Sequence, residues 1–184
     1  MAFLGLFGRN RHERAGFALY AAAVAAARDP FFYDRLRVAD TLDGRFDLVG
    51  LHAVLLIRRL RALPPPGAAT AQAVFDAMFS DMDLNLREMG VGDLSVGKRV
   101  RAMWEALHGR ATAYEAALEA RDAAALAEAL RRNVWRGAEA GDAPEALARI
   151  ALAQDASLAA QPAASLLAGQ VSFLSAAHAL PAAA

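Results

Sequence analysis

The sequence predicts an all-α protein: a single bundle of six or seven helices. Three observations carry this. Apolar residues make up 57% of the 184 residues, and much of that share is alanine, the best helix former. β-Branched residues are few, which works against a sheet. Apolar side chains also return at three- and four-residue intervals through most of the chain, the spacing of one helical face.

Phe17, Tyr20, Val24 and Phe31 recur near that spacing and predict a first helix ending around Arg28. Asp29-Pro30 reads as a cap with proline in the first turn, restarting a short helix through Leu36. Asp40 to Arg45, with its Asp43-Gly44 pair, reads as a loop because no alternating strands flank it. From Phe46 to Leu63 the chain is apolar almost all round, which places that helix in the middle of the bundle. Its end carries Arg58, Arg59 and Arg61, suited to the negative pole of a helix dipole. Pro64-Pro65-Pro66-Gly67 stops it.

Thr70 to Met89 is the clearest amphipathic stretch, with Phe75, Met78, Phe79, Met82, Leu86 and Met89 in one stripe. Asp83 and Arg87 sit at pairing distance on the other side. Ser95 to Ala120 forms the next long helix, with Val96, Val100, Met103, Leu107, Tyr114 and Leu118 on one face and Gly109 as a point of bending or close approach. Asp122 starts a helix bearing Leu126, Leu130 and Val134, and Asp142 with Glu145 resembles a capping box for another. Beyond Pro162 a last helix is expected to present Leu167, Val171 and Leu174. The domain is expected to span residues 15–180, with residues 1–14 as a flexible N-terminal segment.

Charge and composition narrow the function. Twenty basic residues balance twenty acidic ones, so the chain has no general pull on phosphate backbones and direct nucleic-acid binding is not expected. The absence of cysteine removes thiolate nucleophiles, disulfides and cysteine-ligated metals. In MAFLGLFGRNRHER the charges follow the apolar stretch, the reverse of a secretory signal, and no run approaches the length of a membrane span. The expected location is the cytoplasm, with peripheral contact at the inner membrane face. MAFLGLF followed by Arg9, Arg11 and Arg14 can touch an anionic surface but is too short to anchor the protein.

No catalytic constellation appears. Glu105-x-x-His108 is the pair that di-iron bundles use twice, but it occurs once, and His12, His52 and His178 lack the partner glutamate. Asp81-x-Asp83-x-Asn85 opens like a calcium loop, yet Leu86 and Gly92 stand where glycine and glutamate are required. His52, flanked by Leu48, Val49, Leu55 and Leu56 at helical spacing, reads as a core histidine. Gly90-x-Gly92 and Gly97-Lys98 fit no phosphate loop. The expectation is a protein that is not an enzyme and takes no metal and no cofactor. Two features remain for function: the charged run Asp81, Asp83, Arg87, Glu88, Asp93, Lys98, Arg99 and Arg101, and the adaptable set Met78, Met82, Met89 and Met103.

FFYDRLRVADTLDGRFDLVGLHAVLLIRRL and FDAMFSDMDLNLREMGVGDLSVGKRV resemble the ubiquinol–cytochrome c chaperone family, which includes mitochondrial assembly factors for cytochrome b and bacterial members. The likeness runs from about Ala15 to Arg136 and is most specific at Asp43 to Asp47 and Asp81 to Asp93. His108 departs from it, standing where relatives lead one to expect an aromatic residue. The resemblance implies an all-α domain that handles newly made cytochrome b, or another subunit, during assembly of the respiratory bc1 complex. It also implies a small partner protein and, in mitochondria, work near the ribosome. The residues expected to meet a partner are Asp43, Arg45, Asp47, Met78, Asp81, Met82, Asp83, Arg87, Glu88, Lys98 and Arg99. The rival readings are a bundle that holds a lipid or quinone, and a metal-dependent helical enzyme using His52, His108, Glu105 or Asp83.

Overall fold

In the computed structural model the backbone is described for residues 3–180 and the side chains for residues 12–180. Among the described residues there is no strand, and six α-helices reach seven residues or more. The expected all-α bundle is present.

α1 (Phe3–Ala27) packs along α4 (Gly67–Glu88). The two cross so closely that a Cβ on Gly16 would lie 2.5 Å from the Ala73 carbonyl carbon. The expected face of α1 is present at Tyr20 and Val24, with Phe31 beyond the helix also packed on the core, and is corrected at Phe17. The inward residues are small or slender (Ala15, Gly16, Leu19, Tyr20, Ala23, Ala27), and Phe17 points outward at 55% exposure. α1 is helical from Phe3, ahead of the boundary expected at residue 15. The side chains of Arg9 and Arg11, assigned above to a membrane surface, lie outside the described residues.

α2 (Pro30–Asp34) starts as expected: Asp29 Oδ1 accepts the Phe31 N–H at 3.0 Å. α3 (Leu42–Arg61) is the central helix and packs against α1, α4, α5 and α7. Its start corrects the sequence reading. Thr41 Oγ1 accepts the Gly44 N–H at 3.2 Å, so Asp43 to Arg45 form the first turn of the helix rather than a loop. Gly44 is required there, because a Cβ would sit 2.0 Å from the Ala39 carbonyl oxygen.

α5 (Asp93–Ala120) runs unbroken through Gly109, which has open space around its Cα instead of a close neighbour. α6 (Ala123–Leu130) is capped by Asp122, whose Oδ1 accepts the Ala125 N–H at 2.9 Å. A π-helical turn, Arg131–Trp135, follows and was not foreseen; it ends at Arg136, with φ +49°. α7 (Ala143–Ala160) does not use the expected capping box. Asp142 makes no side-chain cap, and Glu145 pairs with Arg131 at 2.6 Å instead. The expected last helix is also corrected. α8 (Ala163–Leu167) stops at Gly169, whose φ of +84° turns the chain into an extended strap that reaches α9 (Ala176–Ala179). Among the described residues, no helix is long and apolar enough to cross a membrane.

Candidate functional site

Where α1, α4 and α5 meet the first turns of α3, the side chains leave a cleft of about 180 Å³. Its walls are mainly apolar: Val24, Phe46, Val49, Met82, Leu86 and Met103. A shallower hollow of about 480 Å³ continues from it along the α1–α4 seam between Phe17 and Leu84. Both hollows share Tyr20, Val24, Arg28, Asp81 and Asn85, so together they form one groove. Four large apolar residues stand half-exposed along it: Phe17 at 55%, Leu84 at 55%, Met89 at 52% and Leu42 at 49%. Water is a poor neighbour for such apolar side chains.

The groove is apolar at its base and charged at its edges. Tyr20 reaches across from α1 and its hydroxyl donates to Asp81 Oδ2 at 2.7 Å. Burial and the Asp81 carboxylate together push the tyrosine hydroxyl well above its ordinary pKa, so it remains a neutral donor. Arg28 and Arg45 line the rim, with Arg45 paired to Asp40 at 2.6 Å. At the far end of α4, Arg87 pairs with Asp83 at 2.6 Å and Asp93 at 2.5 Å, joining α4 to the start of α5.

The expected partner-facing residues divide accordingly. Arg45, Asp81 and Met82 line the groove. Asp83 and Arg87 sit beyond it, and Asp43, Glu88, Lys98 and Arg99 are exposed but outside it. Met78 is fully buried in the core. Of the methionine set, Met82, Met89 and Met103 line the groove.

Asp47 has another setting. Its side chain is wholly buried, in contact with Arg110 and with Arg136 at 2.7 Å. Burial pushes its carboxyl up to about 6, against the pull of the two guanidiniums beside it. Arg110 also lies over the Phe46 ring, 5.6 Å from its centre. Asp47 therefore ties α3 to α5 and to the residue that ends the π-helical turn. It offers nothing to a visitor at the surface.

Among the described residues, His52, His108, Glu105 and Asp83 are not brought together. His52 is buried between Phe32 and Phe173, and its Nδ1–H donates to the Leu48 carbonyl at 2.8 Å. Burial lowers its pKa, so it is held neutral. His108 stacks flat on Trp104 at the surface, and Glu105 pairs with Arg101 at 3.0 Å rather than with His108. Among the described residues, no three His, Cys, Asp or Glu side chains are placed to hold a metal ion.

Tyr20, Val24, Arg28, Phe46, Val49 and Asn85 also belong to the groove, and the sequence reading assigned none of them to a site. The signal available was the alanine-rich face of α1. It implies a helix held close to a neighbour, so that the few large residues on α1 must border the seam.

A family model described as ubiquinol-cytochrome C chaperone matches residues 34–173. The crystal structure of the Cbp3 homolog from Brucella abortus is similar over nearly the whole chain. Its TM-score is 0.82 at 36% identity, covering 95% of this chain and 97% of that one. Among curated proteins, none matches the sequence significantly.

Proposed function

The chain belongs to the ubiquinol-cytochrome C chaperone family, and from that footing we propose that it holds an apolar segment of newly made cytochrome b while the bc1 complex assembles. The observation that carries this is the groove along α1 and α4, where Phe17, Leu42, Leu84 and Met89 remain half-exposed around an apolar base. A transmembrane helix awaiting insertion has the same need as these four side chains, which is to leave water. Laying one against the other removes apolar surface from both. Covering what these four side chains still expose contributes about 1 kcal/mol each on the protein side. Much of that is offset by the cost of association, leaving a hold that can be released.

The rim charges act differently. Arg28, Arg45 and Asp81 lie where a helix would pass, and they orient it more than they tighten it. Met82, Met89 and Met103 give the lining three flexible side chains that can refit to helices of different shape. In this reading the protein performs no reaction. It works at the cytoplasmic face of the inner membrane, together with a small partner protein.

Deleting the gene and measuring assembled bc1 complex tests the role. Loss of the complex, with cytochrome b degraded, is the expected result, and normal levels contradict it. Native mass spectrometry separates this reading from a lipid or quinone holder: a co-purified lipid or quinone would give the groove a different occupant.

A further inference from the structure

The strap between α8 and α9 is held in an unusual way. Gln154 on α7 is 1% exposed, and both ends of its amide are spent on one strap residue. Its Nε2 donates to the Leu174 carbonyl at 2.6 Å, and its Oε1 accepts the Leu174 N–H at 2.9 Å. Gln161 does the same to Ser172, donating at 2.7 Å and accepting at 3.0 Å. Two side-chain amides thus take the place of a neighbouring strand and pair with alternate residues of an extended backbone.

The strap's side chains follow the matching period of two. Val171 and Phe173 turn inward, and Ser172 and Leu174 turn out. Phe173 lies against neutral His52, with 5.4 Å between ring centres. Beyond the strap, Asp29 Oδ2 accepts the Ala176 N–H at 2.9 Å. The strap carries no charge and makes no ion pair. All four of its bonds to the Gln154 and Gln161 amides come from its backbone, so the slot reads an extended main chain with an apolar residue at the centre. It scarcely reads which sequence supplies it.

We propose that this slot on α7 is a second peptide-binding site, specific for an extended, uncharged segment, and that residues 170–175 are its resident and displaceable occupant. Leaving the slot empty would strand the buried Gln154 amide without partners, which is costly. Exchange for another extended backbone restores every bond. The slot thus favours replacement over simple opening. Its ligand class differs from that of the α1–α4 groove, which suits a helix, and the two sites stand or fall separately.

The probe is a fluorescently labelled peptide of residues 169–180, added to the full-length protein. Phe173→Ala weakens the resident strap and leaves the slot intact. Leu174→Pro removes the N–H given to Gln154 and changes only an exposed side chain, so it serves if Phe173→Ala does not fold. Because apparent affinity falls with the fraction of open sites, either variant is expected to bind the peptide about tenfold or more tighter than the wild type. Adding Gln154→Leu to the same variant is expected to abolish the gain. A folded Leu174→Pro protein that binds the peptide no better than wild type overturns the proposal. So does a gain that survives Gln154→Leu, because the peptide would then sit elsewhere.

Discussion

Replacing Arg110 by methionine isolates what the buried pair at Asp47 contributes. Methionine keeps an apolar stem against Phe46 and removes the cation. Arg110 is 15% exposed and the Asp47 side chain not at all, so the pair is barely screened. Removing Arg110 leaves the buried carboxylate with the half-exposed Arg136 alone, so the cost approaches that of a buried pair broken from one side, about 3–5 kcal/mol. For a chain of this length that is on the order of 10 °C in melting temperature.

The pH dependence carries the sharper test. In the wild type, burial holds Asp47 up to about 6, against an ordinary 3.8. A carboxyl raised in the folded state contributes stability that is full below pH 3.8 and is lost as pH rises through about 6; this amounts to ~3 kcal/mol. Without Arg110 the carboxyl rises further. The penalty of Arg110→Met is then largest near pH 8 and shrinks to about 1 kcal/mol near pH 5, where Asp47 takes a proton and no buried charge remains. Urea unfolding followed by circular dichroism at both pH values measures this. Adding Asp47→Asn is expected to recover most of the loss at pH 8. A penalty equal at both pH values refutes the reasoning, and so does a double variant as unstable as the single one. Either result would mean that Arg110 acts through packing alone.

Four other outcomes follow from the groove and the α1–α4 seam. Leu84→Asp with Met89→Glu changes only half-exposed side chains, so stability should move by less than about 0.5 kcal/mol per site in thermal melts, while recovery of bc1 complex falls. Tyr20→Phe removes the hydroxyl held by Asp81 and is expected to cost about 1 kcal/mol in chemical denaturation. Asp81→Lys should therefore loosen the α1–α4 seam, whereas Asp83→Lys, which loses only a surface pair, should leave the melting temperature almost unchanged. Gly16→Ala forces a methyl group into the Ala73 backbone and should destabilise by about 1–3 kcal/mol or more, again read by denaturation.

The elements that local chemistry determines were legible in the sequence. Asp29-Pro30, the proline run and Asp122 mark helix ends because the bonds they make or forbid lie within a turn of the residue itself. The central place of α3 was legible because no face of it is polar. What failed depended on partners far along the chain. Asp47 looked available to a partner until Arg110, 63 residues away, and Arg136 closed over it. Glu145 looked like half of a capping box but is taken by Arg131.

The C-terminal strap misled for a different reason. Leu167, Val171 and Leu174 fit helical spacing, and a short apolar run satisfies periods of 3.6 and 2 about equally well. Gly169, Gln154 on α7 and Gln161 at its end settle the matter through contacts that no local pattern displays. The groove was half legible. Its methionines and Asp81 stood out as a stripe and a charge, and on its α1 wall Tyr20 and Val24 lie inward as expected, while Phe17 does not.

The most direct test places a photo-crosslinking residue at Leu84 or Phe17 and, as a control, at exposed Arg99 on α5, in cells translating cytochrome b. Crosslinks to cytochrome b are expected from the two groove positions and not from Arg99. Crosslinks from Arg99 alone, or none to cytochrome b from the groove, would contradict the proposed function.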